Sequence, residues 1–157
     1  LAEDPKGFIS SLIANDAMSY SILIEENIDQ DSTYNGLRLF ANAEKEIEYN
    51  NLSLAKQYLD SINSSYLYHP LFDEVLILRA KISILEKKFE QAKEYLKKSL
   101  KKYPYELTAD DALYILSDIY LNQTKEISLA KETLEKIIID YPNSIYVIEA
   151  RKLLSEL

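Results

Sequence analysis

The chain has no cysteine, which excludes disulfides, thiolate-bound zinc and thiol nucleophiles. Its single histidine, His69, excludes multi-histidine metal sites. It leaves a Ser–His relay only if His69 is itself the base. Only two glycines are present, Gly7 and Gly36, and four prolines. So few glycines argue against a β-sandwich or barrel with many tight turns, and against a phosphate-cradling loop. No apolar run reaches the roughly 18–20 residues of a membrane span. The longest candidate, Phe8 to Ile24, is interrupted by Asn15 and Asp16. Positive charge is also scarce. The net charge of −8 repels nucleic acid and anionic lipid overall. With 157 residues, the length suits one domain or one short repeat array.

The charge is unevenly spread. Residues 1–50 carry net −7, residues 51–107 net +3 and residues 108–157 net −4. The middle segment holds a basic strip of Lys87, Lys88, Lys93, Lys97, Lys98, Lys101 and Lys102. The chain begins at Leu1 rather than Met, and the expectation is a processed product or a piece excised from a longer protein.

Apolar residues recur at three- and four-residue steps nearly throughout, the signature of amphipathic helices. Asp4-Pro5 is a helix start, and Phe8, Leu12, Ile13, Ala17, Tyr20 and Ile24 continue it toward 27–31. Further helices are predicted over 33–49, 52–64, 71–87, 89–102, 109–122, 128–140 and 145–157, with Asn143 or Ser144 capping the last. A loop is predicted over 64–70. Tyr103-Pro104 and Tyr141-Pro142 supply breaks. No segment shows sustained alternation between hairpin turns, so the fold class is all-α.

The helices repeat. Ala43, Ala80 and Ser117 are successive small residues 37 apart, and Ala55, Ala92 and Ala130 follow them at spacings of 37 and 38. Small residues at such points let two antiparallel helices approach closely. Large apolar residues surround them: Leu39, Leu76 and Leu113 on the first helices, Leu59, Leu96 and Leu134 on the second.

On these residues the chain resembles the tetratricopeptide repeat family. The best match is Leu76-x-x-x-Ala80, Phe89-x-x-Ala92, Leu96 and Tyr103-Pro104; the third unit repeats it through Leu113, Ser117, Tyr120, Ala130 and Tyr141-Pro142. The resemblance implies an α-α superhelix of three helix hairpins within one domain. An N-terminal helix or half-repeat covers 1–31, repeats cover 33–70, 71–107 and 108–142, and a C-terminal helix covers 143–157. If the N-terminal helix is half of a truncated hairpin, further repeats lie upstream. Two departures stand out. The period is 37–38 rather than the family's usual roughly 34, and the third unit carries an extra residue within 123–127. The tail also resembles the ends of bacterial envelope-associated repeat proteins, which points to the periplasm or cell envelope rather than the cytoplasm.

In that family the first helices line a concave surface. The resemblance assigns three rows to it here: Phe40, Ile77, Tyr114; Glu44, Lys81, Asp118; and Ile47, Ile84, Leu121. Two apolar rows flanking a charged one suit an amphipathic helix or extended segment. The competing reading is that the apolar rows are core, covered in part by residues 5–28. Family members that clamp chaperone carboxylate tails use Lys and Asn at these positions; Phe40, Ile77 and Glu44 reject that function.

His69, among Tyr66, Tyr68 and Phe72, reads as packing. The acidic clusters Glu25–Glu26 and Glu44, Glu46, Glu48 read as solvated faces, since helical di-metal sites need Glu-x-x-His pairs. Tyr103, Tyr105, Tyr141 and Tyr146 flank the proline breaks, where a ring packs a turn and keeps its hydroxyl wet. Lys93, Lys97 and Lys101 fall on one helical face, paired in part with Glu90 and Glu94, and read as a solvated surface. The strip could also dock an acidic partner or the acidic end of a second copy. The expectation is therefore a non-catalytic scaffold that binds a protein or peptide, with no cofactor, no metal, no nucleic acid and no direct membrane insertion. The alternative is a self-associating homo-oligomer, a structural segment of a longer solenoid.

Overall fold

The computed structural model describes residues 17–18, 20–25, 34–65, 71–105 and 108–157, without the side chains of 63–65. Every regular element among them is helical. After a short helical segment at 20–25 come α1 (Asn35–Glu48), α2 (Leu52–Ser65), α3 (Phe72–Leu85), α4 (Phe89–Lys102), α5 (Ala109–Asp118), α6 (Ile127–Asp140) and α7 (Val147–Glu156). The chain stacks as hairpins α1/α2, α3/α4 and α5/α6, and α7 packs on α6. The fold is the all-α helical repeat array that the small-residue spacing announces.

Ala43, Ala55, Ala80, Ala92 and Ala130 are fully buried, and Ser117 nearly so. Each pair sits where a hairpin's two helices cross, too close for a larger side chain. Leu59, Leu96 and Leu134 fill the space beside them and are also fully buried. Each contributes roughly 1.5–3 kcal/mol over an exposed leucine. The apolar interior falls into two clusters. Leu23, Phe40, Leu59, Ile62 and Leu71 belong to the N-terminal one; Leu96, Leu113, Leu134, Ile137 and Val147 belong to the C-terminal one. α3 joins them. Its Val75, Leu78 and Ile82 enter the first cluster, while Ile77 and Ala80 enter the second. A helix buried on both sides needs apolar residues all round, and α3 has them.

The hairpin turns solve a problem set by the scarcity of glycine. A helix commonly ends on a left-handed residue, usually Gly. Here Asn50, Lys87 and Lys125 take that conformation, with φ of 60°, 59° and 58°. The N–H of Asn50 bonds the Ile47 carbonyl and that of Asn51 the Glu46 carbonyl. Lys87 and Lys88 repeat the pattern on Ile84 and Ser83. These are Schellman closures. The third turn differs. After α5 the helix widens into one π turn, Ile119–Gln123, and the Glu126 N–H reaches back six residues to Tyr120. The extra residue predicted in 123–127 is absorbed by this widened turn, so the register of α6 is kept.

At the last break, Ser144 Oγ accepts the Tyr146 N–H at 3.1 Å, so the serine closes a local turn rather than capping α7. Among the described residues the other helix ends lie within two residues of their predicted places, with the π turn to Gln123 counted as the continuation of α5. The predicted N-terminal helix is described only at 17–18 and 20–25, and the predicted loop only at 64–65, so His69, Tyr66 and Tyr68 lie outside the described residues.

Polar contacts also repeat from hairpin to hairpin. Asp73 near the start of α3 accepts a hydrogen bond from Thr108 at the mouth of α5 (2.8 Å). One repeat on, Asp111 accepts from the Tyr146 hydroxyl (2.6 Å). Lys56, one residue after Ala55, pairs with Glu86 in the next hairpin's turn. Lys93, one residue after Ala92, pairs with Glu126 in the turn after that (2.6 Å). A lysine beside the crossing point thus spans to the neighbouring hairpin in both places.

Candidate interaction surface

The nine concave positions divide into two environments. In the first row Phe40 and Ile77 are buried, with 5% and 6% of their surface exposed, whereas Tyr114 is half-buried. In the second row Glu44 is half-buried and Lys81 and Asp118 are exposed. In the third, Ile47 and Ile84 are half-buried against the N-terminal and C-terminal clusters respectively, and Leu121 is buried. Phe40 and Ile77 are therefore packed within the cores, which is what the competing reading of the apolar rows expects.

The N-terminal end of this face is covered by the chain itself. Leu23 is buried in the same cluster as Phe40 and Ala43, and the Tyr20 hydroxyl donates to Glu44 Oε1 at 2.9 Å. The Glu44 carboxyl is pushed above the usual carboxylate range by burial. The Tyr20 hydrogen bond and the nearby Lys81 charge oppose that rise, and Glu48 adds to it.

The C-terminal end is open. A cavity of about 490 Å³ lies between α5 and α7, reached by Tyr114, Asp118 and Leu121 from one side and by Glu149, Leu153 and Glu156 from the other. Tyr114 stacks on Tyr146 with ring centroids 4.2 Å apart and planes at 11°. Its phenol is pushed up first by burial, then by the Glu149 and Asp118 charges. Asn122 Nδ2 holds the Asp118 carboxylate at 2.6 Å. Three side-chain carboxylates and one ammonium, that of Lys125, line the recess together with Ser117, Asn122 and the apolar Leu121, Ile127 and Leu153. Such a site favours a cationic group next to an apolar one.

The wall from α7 was absent from the sequence reading. Its signal was present: stepping the second row on by 38 from Asp118 reaches Glu156. A second correction concerns the basic strip. Lys93 is not solvated. It is 5% exposed, held by Glu126 at 2.6 Å and by Glu90 at 2.8 Å, with its ammonium 5.5 Å from the centre of the Tyr120 ring. Burial lowers its pKa, but the two carboxylates outweigh burial and leave it raised. Glu126 is lowered by the Lys93 hydrogen bond and then by that of Thr124. Among the described residues no cluster of three or more His, Cys, Asp or Glu side chains could hold a metal ion, and no helix is long and apolar enough to cross a membrane.

The profile of the YfiO family, described as an outer membrane lipoprotein, matches residues 33–157. The chain belongs to the YfiO family. The match begins just before α1 and takes in all three hairpins and α7. It agrees with the tetratricopeptide-type reading, bacterial origin included, and with the cell envelope as the place of work. A search of characterised proteins gave no match. The helical repeats agree with a protein-interaction array as the general class of the family.

Proposed function

We propose that this YfiO-family chain is a non-catalytic scaffold that holds a segment of a partner protein in the recess between α5 and α7. The observation that supports this reading is the recess itself. It opens at concave row positions Tyr114, Asp118 and Leu121, while the equivalent positions of the first hairpin are already covered. About 490 Å³ takes a few side chains, not a folded domain. Its chemistry suits a helix or extended segment presenting an apolar residue beside Lys or Arg. Tyr114 and Leu121 supply the apolar contact, and Asp118, Glu149 and Glu156 supply the counter-charge.

The test uses Asp118→Lys with Glu149→Lys, both on accessible side chains. The wild type and the double variant, shown to be equally helical by circular dichroism, are used to capture proteins from an envelope extract. A partner held by the wild type and released by the variant supports the reading. The same partner held equally by both overturns it.

A further inference from the structure

The lysines left over once Lys93 is removed from the strip form a different surface. Residues 97–102, Lys-Lys-Ser-Leu-Lys-Lys, end α4 with four lysines and no acid, and all four are exposed. Lys98 and Lys101 make no hydrogen bond or ion pair among the described residues. Lys97 lies 5.7 Å from the Tyr120 ring centre, within reach of the Glu126 charge, and Lys102 lies 5.9 Å from that of Tyr103, so both stems are steadied against a ring.

Exposed apolar groups adjoin this charge. Three residues past α4, Tyr105 is 96% exposed. The Tyr141 hydroxyl donates to the Pro104 carbonyl at 2.6 Å, which brings the break after α6 alongside the break after α4. Ile139, in the last turn of α6, is 73% exposed. Tyr105 stands in water a few residues from Lys98, Lys101 and Lys102, which form no ion pair among the described residues, on a chain of net charge −8. A protein groove would bury such groups in a concavity. Here Tyr105 and the lysines stand exposed on a helix end and the turn that follows it. Tyrosine rings favour the headgroup layer of a bilayer, and lysines beside it are drawn to anionic lipid.

We propose that the end of α4 and the adjoining turns, through Lys97, Lys98, Lys101, Lys102 and Tyr105, rest on an anionic phospholipid surface. Membership in a family of outer membrane lipoproteins makes a bilayer the broad anionic surface at hand.

The test is co-sedimentation of the whole chain with phosphatidylcholine vesicles prepared with and without phosphatidylglycerol, at low and high salt. The proposal expects binding only with phosphatidylglycerol, lost at high salt. Lys98→Gln and Lys101→Gln touch nothing else, so folding is preserved; each weakens binding about fivefold. Tyr105→Ser weakens it further without changing the salt dependence. Wild-type protein that stays in solution with phosphatidylglycerol vesicles overturns the proposal. So does undiminished binding by the double lysine variant. If the vesicles fail while polyglutamate peptide binds through the same two lysines, the strip is a protein contact and the lipid assignment is wrong.

Discussion

Phe40 and Tyr114 occupy the same position in hairpins one and three, yet they do different work. Phe40 is sealed beneath Leu23 in the N-terminal cluster, and Tyr114 borders an open recess. The junctions between hairpins differ in the same way. Lys93 is sunk between Glu126, Glu90 and the Tyr120 ring, whereas its counterpart Lys56 reaches Glu86 over a surface that stays 39% exposed at the lysine side chain. A repeat fixes where a side chain points. What lies over that point decides whether it is core, staple or binding surface.

The largest expected effect breaks the first pair. Phe40→Ala should cost about 3 kcal/mol, since it empties a buried site. Tyr114→Ala should cost about 1 kcal/mol, mostly its stacking on Tyr146. Urea denaturation of the two variants measures both. The second pair comes next. Lys93→Ala should cost about 2 kcal/mol, below the range for a fully buried pair because Glu126 keeps partial access to water. Lys56→Ala should cost no more than about 0.5 kcal/mol, as exposed pairs do.

The pH dependence sharpens the same contrast. Glu126 is held below its ordinary pKa by Lys93 and Thr124. Its contribution is present above the ordinary carboxylate range and is lost as the pH falls from that range through the lowered folded value. The stability gap between wild type and Lys93→Ala should therefore narrow on acidification. Glu44, raised by burial, acts in the opposite sense: its ionised form burdens the fold at neutral pH, and protonation relieves it. Glu44→Gln should therefore raise stability near neutral pH and steepen its loss on the acid side.

A smaller effect runs the other way. Ser99 is buried with no partner for its hydroxyl, at the position held by Ile62 and Ile137 in the neighbouring repeats. Ser99→Ala should stabilise by about 1 kcal/mol, read as a rise in the urea midpoint.

Much of the architecture was legible in the sequence because it depends on size and period. Ala43, Ala55, Ala80, Ala92 and Ala130 mark the helix crossings, and alanine at a fixed spacing is visible without coordinates. The π turn was legible only as an extra residue. Its place depends on how the backbone redistributes hydrogen bonds between Ile119 and Glu126, and several distributions suit the same composition. The burial of Lys93 was hidden for a related reason. Lysine at four-residue spacing with Lys97 and Lys101 reads as a solvated face, and only the approach of Glu126 and Tyr120 from another hairpin reverses that. The recess was half legible: α5 supplied Tyr114, Asp118 and Leu121 as row members, while Glu149 and Leu153 come from a helix whose register against α5 is set by the Tyr146–Asp111 and Tyr141–Pro104 contacts.

The division of the concave face is tested most directly by thiol labelling, because the chain has no cysteine of its own. Single variants Phe40→Cys and Tyr114→Cys would be exposed to a chromogenic disulfide reagent under native conditions. The account predicts that the thiol at 114 reacts at close to the rate of a free thiol. The thiol at 40 should react only through local opening and so many times more slowly. Equal rates, or a faster reaction at 40, would contradict it.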